Sequence, residues 1–389
     1  MQVITRLFHP TKTSFFLFGP RGTGKSTLMR TIYQNALWVD FLNPKTERIY
    51  AANPELLYDY IDANKNYNTI IIDEVQKVPA VLNVVHDLME QRKNLQFVLT
   101  GSSARKIKRT GENLLAGRAL SYSMYPFMAN ELGAKFNLEL ALEYGLVPII
   151  IASNNKEETI QAYINLYLKE EIQIEGLTRN IDDFARFLEA ISFSHASLIN
   201  VSNIARECLV KRKTVESYIN ILEDLLLIYK LPVFTKRAKR ELVNNHKVYL
   251  FDSGIYNALR PKGLLDKREE IDGAGLEGLV LQHLKAWDDY NVKKSNVCFW
   301  RTSSGVEVNF VVYGEKNFFA IEVKNTKNIN LQDTKSLKIF LQEYPEAKAV
   351  LLYRGEEKII RQGILCIPIE QFLLDLKPGL SLTEVLRLE

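Results

Sequence analysis

Short apolar runs that end abruptly in glycine, acidic or hydroxyl residues recur through the first hundred residues. Residues 15–18 read FFLF before a glycine-rich turn, residues 69–72 read TIII before an acidic pair, and residues 95–103 read LQFVLTGSS. Continuous apolar runs of this kind are typical of strands buried on both faces of a parallel sheet. Helix-like sequence between them, such as TLMRTIYQ at 27–34, completes the alternation. The pattern predicts an α/β domain over residues 1–126, with polar strand ends along one edge of its sheet.

A helical pattern replaces the strand pattern in the middle of the chain. Residues 127–180 contain helix-like segments such as NLELALEYG at 137–145. Residues 198–231 predict a short helix, a tight turn and a longer helix. Spacings of i, i+4, i+7 and i+11 give the longer helix one apolar face, made of Val215, Ile219, Leu222 and Leu226.

The last third of the chain returns to strands after one long helix. Residues 274–287 predict a helix whose apolar stripe is Leu276, Leu279, Val280 and Leu284. Three runs rich in β-branched and aromatic residues follow at 297–302, 306–313 and 318–325. The remainder, residues 326–389, reads as further helix and strand, so residues 246–389 are expected to form a second α/β domain.

Length and composition set the broad class of protein. A chain of 389 residues predicts two or three domains. Hydrophobic residues at 47% and charged residues at 25% are ordinary for globular proteins and argue against widespread disorder. A net charge of +4 is compatible with nucleic-acid binding without arguing for it.

Cysteine spacing and apolar run length predict the compartment. The chain has three cysteines, Cys208, Cys298 and Cys366, and they form no CxxC pair, which argues against a zinc site or a disulfide framework. The sequence shows no secretory signal and no apolar run near the ~20 residues that span a bilayer. The expectation is a cytoplasmic protein without a membrane partner.

The glycine-rich turn after the first run matches the P-loop pattern. GPRGTGKST at 19–27 places Gly-x-x-x-x-Gly-Lys-Ser between a strand and a helix. Glycines let the backbone curl so that its N–H groups point at phosphate oxygens, and the following helix adds its positive end. Lys25 would reach the β- and γ-phosphates of ATP, and Ser26 would ligate Mg²⁺. The predicted nucleotide-binding residues here are Gly19, Pro20, Arg21, Gly22, Thr23, Gly24, Lys25, Ser26 and Thr27. The alternative is a chance glycine-rich turn before a helix.

The ends of the next two strands supply the other candidate groups. Asp73 fits the Walker B role of holding Mg²⁺, and Glu74 could deprotonate the attacking water. The alternative for this acidic pair is a solvated turn. Ser102 or Ser103 could hydrogen-bond the γ-phosphate or the attacking water, or act only as a helix N-cap.

A basic segment follows over residues 104–126. It carries Arg105, Lys106, Lys108, Arg109 and Arg118. Arg118 is a candidate arginine finger, a group that stabilises transition-state charge and is worth ~10³–10⁵ in rate. The alternative is a solvated surface arginine.

Three segments together resemble a known family. GPRGTGKST, IIIDEVQKVP and FVLTGSSARKIKRTGENLLAGRA are similar, in register, to bacterial and archaeal AAA+-type P-loop ATPases that pair this core with a DUF4143 C-terminal region. The resemblance runs from about Arg6 to about residue 330. It implies an ATP- and Mg²⁺-binding core over 1–126, a helical lid over 127–180 and a winged helix-turn-helix over 181–245. Residues 246–389 would then have an α/β fold like that of restriction endonucleases of the PD-(D/E)XK type.

Two basic clusters bear on DNA as a partner. Lys211, Arg212 and Lys213 begin the second helix of the predicted helix-turn-helix, the end that such a motif offers to the major groove. A second cluster, Lys236–Arg240, would lie in the wing and touch phosphate. The alternative is a winged helix that only packs between domains. A homo-oligomer is left open.

The strand at 318–325 ends in Glu322-Val323-Lys324, which resembles a nuclease site. Alternation places Glu322 and Lys324 on one strand face. Glu277 lies beside the apolar stripe of the preceding helix, but position 309 holds Asn where a metal-binding Asp is expected, and Glu307 is a candidate substitute. A hard cation prefers carboxylates, so we interpret Glu277, Asn309, Glu322 and Lys324 as a degenerate nuclease site.

Three functions follow as hypotheses. The first, which the motifs favour, is a Mg²⁺-dependent ATPase whose cycle switches DNA binding or assembly. The second is an ATP-gated, metal-dependent nuclease. The third is a non-catalytic, nucleotide-dependent regulator or defence interaction protein.

Overall fold

The computed structural model describes residues 4–102, 115–168, 181–235, 246–291 and 294–388. The chain divides into two compact units. The first unit is Phe8–Tyr125 together with Ile221–Leu227, and the second is Met1–Leu7, Pro126–Asn220 and Ile228–Glu389. Within the described ranges, no helix is both long and apolar enough to cross a membrane. Ser103, the basic residues from Arg105 to Arg109, the end of the predicted lid and Lys236–Arg240 lie outside the described residues.

The first unit is built on a parallel five-stranded sheet. Its strands are β1 (Phe15–Phe18), β2 (Leu37–Asp40), β3 (Thr69–Asp73), β4 (Gln96–Gly101) and β5 (Leu120–Ser123), in the order β2-β3-β4-β1-β5. All four neighbouring pairs are parallel. Strands β1, β3 and β4 are buried almost throughout, as their continuous apolar runs predict.

Helices flank this sheet and complete the P-loop NTPase core predicted from sequence. They are α1 (Lys25–Ile32), α2 (Pro44–Ala52), α3 (Leu56–Asp62) and α4 (Val81–Gln91), with 3₁₀ turns at Val75–Lys77 and Leu115–Gly117. Strand β4 lies between β1 and β3. The glycine-rich loop after β1 and the acidic pair after β3 are therefore separated by one strand at the same edge of the sheet.

The second unit begins with a mainly helical stretch. Its helices are α5 (Ala129–Leu132), α6 (Leu138–Tyr144), α7 (Pro148–Ile151), α8 (Lys156–Ala162), α9 (Ile181–Ser192), α10 (Val201–Glu207) and α11 (Arg212–Asp224), the last of which continues into the first unit. A small antiparallel sheet has the order β6-β8-β7, with β6 (Ser197–Leu198), β7 (Ile228–Leu231) and β8 (Lys247–Leu250).

Helix α11 carries the predicted apolar face with one exception. Val215, Ile219 and Leu222 are buried, as expected. Leu226 lies beyond the helix end with φ of 59°, so the prediction that it extends the face is wrong. A left-handed residue cannot continue an α-helix, which moves the side chain off the helical stripe.

The rest of the second unit contains a mixed six-stranded sheet. Its strands are β9 (Asn296–Arg301), β10 (Glu307–Tyr313), β11 (Phe318–Lys324), β12 (Lys348–Tyr353), β13 (Ile359–Arg361) and β14 (Ile364–Pro368), in the order β13-β14-β12-β11-β10-β9. Helices α12 (Ser253–Leu259), α13 (Arg268–Tyr290), α14 (Lys335–Glu343), α15 (Ile369–Asp375) and α16 (Leu382–Val385) accompany it. Strands β9 to β11 are antiparallel, and β11, β12 and β14 are parallel.

The predicted elements of this region are present. Strands β9, β10 and β11 match the three predicted runs to within one residue, and α13 contains the predicted helix with extra turns. The four leucine and valine residues of its stripe are completely buried. Pro126–Asn220 and Ile228–Glu389 fall into one compact unit, so the predicted boundaries at residues 181 and 246 stay a prediction.

Candidate functional site

The loop between β1 and α1 needs glycine for two different reasons. Gly22 and Gly24 have φ of 80° and 89°, in the left-handed region that favours glycine. Gly19 has no such angle, but a Cβ there would lie 2.5 Å from the carbonyl oxygen of Met124. The loop therefore curls tightly and passes close to the chain that leaves β5.

Lys25, the first residue of α1, lies inside this curl. Its side chain is buried, and Nζ donates hydrogen bonds to the carbonyl oxygens of Gly19 at 2.7 Å and Pro20 at 3.2 Å. The hydroxyl of Thr23 also donates to Pro20, at 2.8 Å. Phosphate oxygens carry a full negative charge, so they would compete effectively with these carbonyl groups for the ammonium.

Asp73 has one carboxylate oxygen that no described group satisfies. The register of β3 and β4 pairs Ile72 with Leu99, which sets Asp73 beside Thr100. The hydroxyl of Thr100 donates to Oδ1 of Asp73, while Oδ2 is buried without a hydrogen-bond partner among the described residues. An orphaned buried oxygen is costly, and a hard cation such as Mg²⁺ would satisfy it. Together with the half-buried Ser26 at the start of α1, the residues present fit Mg²⁺.

Glu74 and Ser102 are joined by a side chain that sequence reasoning missed. Gln76 donates hydrogen bonds from its amide nitrogen to Oε2 of Glu74 and to Oγ of Ser102, the latter at 3.0 Å. Glu74 itself has φ of 58°, an uncommon conformation for a residue other than glycine. The sequence feature that could have indicated Gln76 is its place in the segment DEVQ, as a polar residue two positions after the acidic pair.

Arg118, the candidate finger, is engaged within its own unit. It lies between the 3₁₀ turn Leu115–Gly117 and β5, and its Nε donates to Oε1 of Glu90 on α4. Both side chains are exposed, and the hydrogen bond from Arg118 holds the pKa of Glu90 below its ordinary value. A role for Arg118 as a finger stays a prediction.

The second unit contains a separate charged cluster in which Lys247 is central. Its Nζ lies 3.0 Å from Oε1 of Glu277 and 2.5 Å from Oε1 of Glu307, and its side chain is 2% exposed. The hydroxyl of Tyr249 also donates to Glu277. Burial lowers the pKa of Lys247, but the two carboxylates more than offset this, so the net shift is upward. Sequence reasoning missed Lys247, whose only signal was a lysine opening an apolar strand.

Neighbouring strands bring Asn309, Glu322 and Lys324 together. The side-chain oxygen of Asn309 accepts from the backbone N–H of Val323 at 2.8 Å, and the Asn309 N–H donates to Oε2 of Glu322 at 3.3 Å. Lys324 Nζ lies 2.8 Å from Oε1 of Glu322, so both side chains share a face as alternation predicts. Burial raises the pKa of Glu322.

This cluster does not fit the divalent metal that the nuclease resemblance implies. Lys247 bridges Glu277 and Glu307, Lys324 pairs with Glu322, and Asn309 uses its oxygen on a backbone amide. A metal ion would have to displace these contacts to reach its ligands. Across the described residues, no group of three or more His, Cys, Asp or Glu side chains is arranged to hold a metal.

The basic cluster of the predicted helix-turn-helix is exposed. Lys211, Arg212 and Lys213 lie at the beginning of α11, and all three are solvent-accessible. Arg212 forms an i,i+4 ion pair with Glu216 at 3.0 Å. Such exposed pairs contribute little to stability, so Arg212 can exchange Glu216 for another anion at small cost.

Comparisons with known proteins assign parts of the chain to families. Residues 11–133 match the sequence model of the AAA domain, and residues 272–372 match DUF4143, a domain of unknown function. Their order confirms the predicted pairing. Residues 135–267 match another domain of unknown function, DUF8612. None of these matches tests the nuclease-like interpretation.

Individual relatives are distant. An uncharacterized protein of Haemophilus influenzae is 23% identical over 276 residues, covering 63% of this chain and 69% of the relative. Domain III of the replication initiation protein DnaA from Thermotoga maritima is 16% identical, with a TM-score of 0.23 over 44% of this chain and 82% of that one. C. elegans PCH-2 is 17% identical, with a TM-score of 0.25 over 53% and 61%. Structural overlaps this weak carry no weight for the fold or function of this chain.

Proposed function

We propose that this chain, which joins an AAA domain to a DUF4143 region, is a Mg²⁺-dependent ATPase. The observation that carries the proposal is Oδ2 of Asp73, buried without a partner among the described residues at the edge of the sheet where the P-loop also lies. A bound cation would resolve that cost, and the loop around Lys25 is shaped for phosphate. The same oxygen in a merely structural turn would be expected to have a protein donor.

Each group then has a defined part in hydrolysis. The backbone N–H groups between Gly19 and Gly24, except at Pro20, which has none, and the ammonium of Lys25 bind the phosphates. Ser26 and Asp73 would hold Mg²⁺, and the bound ion would neutralise negative charge on the phosphates. Glu74 accepts a proton from the attacking water, and Ser102 donates a hydrogen bond to the γ-phosphate.

The test is ATP turnover by the full chain. Glu74→Gln should bind ATP as wild type does and lose turnover about 10²–10⁴-fold, since it removes a general base and preserves shape. Asp59→Asn, an exposed carboxylate on α3, is the matched control and should retain activity. Unchanged turnover in Glu74→Gln would show that the base assignment is wrong, and an inactive wild type would reject hydrolysis altogether.

We further propose that the ATPase is coupled to DNA through the helix-turn-helix. The order α9, β6, α10, α11, β7, β8, with β6 at one edge of a three-stranded sheet, supports a winged-helix arrangement. The exposed Lys211–Lys213 cluster at the start of α11 supplies positive charge where such a motif meets the major groove. ATPase rates should rise with duplex or single-stranded DNA. A mobility shift that is absent at low salt, with and without ATP, would reject DNA binding.

The nuclease hypothesis has no comparable support. Its expected residues do meet, but their charges are already paired with Lys247 and Lys324. We therefore favour residues 246–389 as a nuclease-like fold used for packing or DNA contact. ATP turnover distinguishes an ATPase from a non-catalytic, nucleotide-dependent protein. The comparison of wild type with Glu74→Gln measures it.

A further inference from the structure

Gln76 links two neighbouring strand ends through one amide group. It lies in the 3₁₀ turn directly after β3 and is 6% exposed. Its nitrogen reaches Oε2 of Glu74 on one side and Oγ of Ser102, just past β4, on the other. A carboxylate cannot donate a hydrogen bond at neutral pH, so the nitrogen and not the oxygen of the amide must face Glu74.

The fold leaves room for this side chain at Gly101. A Cβ on Gly101 would lie 2.4 Å from Oε1 of Gln76, whereas its contact with Phe18 would be an ordinary 3.5 Å. Gly101 is not among the residues with positive φ, so its backbone does not require glycine. Space for the Gln76 amide is therefore the constraint that excludes a side chain at position 101.

The amide is held only by its nitrogen. Oε1 of Gln76 is buried and has no hydrogen-bond partner among the described residues. Leaving a buried carbonyl oxygen unsatisfied costs about 1–3 kcal/mol. A glutamine with only a structural role would be expected to form hydrogen bonds through both its amide nitrogen and its amide oxygen. The orientation of Gln76 instead keeps the nitrogen on Glu74 and Ser102 and leaves the oxygen unsatisfied.

We infer that Gln76 is a positioning residue that couples the γ-phosphate contact of Ser102 to the orientation of Glu74. Anchoring one oxygen of the Glu74 carboxylate fixes its plane and presents the other oxygen to the attacking water. When the Ser102 hydroxyl donates to phosphate, its oxygen still accepts the hydrogen bond from the Gln76 N–H. The inference rests on the proposed ATPase function and adds a residue to it.

The primary test compares Gln76→Met and Gln76→Ala in the full chain. Methionine fills similar volume without an N–H donor, so the fold is kept while both hydrogen bonds are lost. We expect kcat for ATP to fall about 10–100-fold, the range for a displaced catalytic group, with KM and nucleotide affinity within twofold of wild type. Gln91→Ala, an exposed amide on α4, is the matched control and should leave kcat unchanged.

Gly101→Ala tests the position of the Gln76 amide in a second, independent way. Its methyl group would push the Gln76 amide away, so alone it should lower kcat to a similar degree. In the Gln76→Ala background the space is already empty, and Gly101→Ala should then add less than twofold. Full additivity, or a fall in ATP affinity that parallels the fall in kcat, would overturn the coupling.

The outcomes separate this inference from the function it rests on. If wild type turns over ATP and both Gln76→Met and Gln76→Ala have the wild-type kcat, the role of Gln76 is rejected and the ATPase proposal stands. No turnover in wild type rejects both. Selective loss of kcat in the two Gln76 variants, reproduced by Gly101→Ala, supports both.

Discussion

Thr100 donates a hydrogen bond to one carboxylate oxygen of Asp73 and leaves the other buried without a described partner. Strand register creates this arrangement, because it places the two residues side by side at the ends of β3 and β4. The carboxylate is therefore held in one direction by the protein itself, which would lower the cost of forming the proposed Mg²⁺ site.

Removing that hydrogen bond should weaken the empty protein more than the liganded one. Thr100→Val leaves both Asp73 oxygens buried without a protein donor, which is expected to cost about 1–3 kcal/mol in free energy of unfolding. Saturating Mg²⁺ and ATP should recover part of the loss, because a ligand that binds only the folded state stabilises it. Urea unfolding with and without Mg·ATP measures both effects, and Thr31→Val, exposed on α1, is the control.

Lys247 should be essential to the stability of the second unit. Lys247→Met leaves Glu277 without its cation and Glu307 with only the exposed Arg301, and breaking such a buried pair costs about 3–5 kcal/mol. Adding Glu277→Gln and Glu307→Gln should restore part of that stability. Lys267→Met removes an exposed i,i+3 pair with Glu270 and should change the unfolding free energy by less than about 1 kcal/mol. Equal effects of both lysine variants would contradict the buried bridge.

Acid should destabilise the fold through His283. This imidazole is fully buried, its Nε2 accepts from the N–H of Ala129 at 2.8 Å, and burial lowers its pKa from 6.5 to about 4. A folded-state pKa below the unfolded value means that stability is full above pH ~6.5 and is lost as pH falls toward ~4. The loss is about 3 kcal/mol for a shift of this size.

His283→Gln keeps an acceptor for Ala129 and has no proton to gain. Unfolding free energy measured from pH 7.5 to 4 should therefore fall less steeply in this variant, by up to about 1.4 kcal/mol per pH unit. His86→Gln, an exposed position on α4, should follow the wild-type curve. Parallel curves for wild type and His283→Gln would show that another group carries the acid sensitivity.

DNA binding, if carried by the exposed cluster, should show in the salt dependence. Each phosphate contact contributes about 0.9 to the slope of log K against log salt concentration. Lys211→Ala with Lys213→Ala should weaken binding and reduce that slope by up to about 1.8. The paired control, Lys262→Ala with Lys267→Ala, removes the same charge from another exposed site and should leave the slope unchanged.

Metal-dependent DNA cleavage should be absent. Plasmid incubated with Mg²⁺ or Mn²⁺ should stay intact with the wild-type protein and with Glu322→Ala alike. The reason is that Glu322 forms an ion pair with Lys324 and Glu277 forms one with Lys247. Agarose gels of supercoiled plasmid provide the measurement. Nicking that disappears in Glu322→Ala would instead favour the ATP-gated nuclease.

Elements whose causes are local could be predicted from the residues alone. Buried strands β1, β3 and β4 follow from uninterrupted apolar runs, and the loop at Gly22 and Gly24 follows from residues that tolerate left-handed angles. Residues 11–133 and 272–372 likewise match the AAA domain and DUF4143 by sequence.

The partners of the site residues, in contrast, depend on how distant parts of the chain pack together. Gln76 and Ser102 are 26 positions apart, and Lys247 and Glu277 are 30 apart. Their contacts depend on strand order and register, which no local pattern encodes. The outcome at Asn309 has the same origin: the residue type showed a missing charge, but only the packing of β8 against its neighbours showed that Lys247 already bridges Glu277 and Glu307. Whether a lysine neutralises a carboxylate depends on the distance between the two charges. For residues far apart in sequence, that distance is set by the fold.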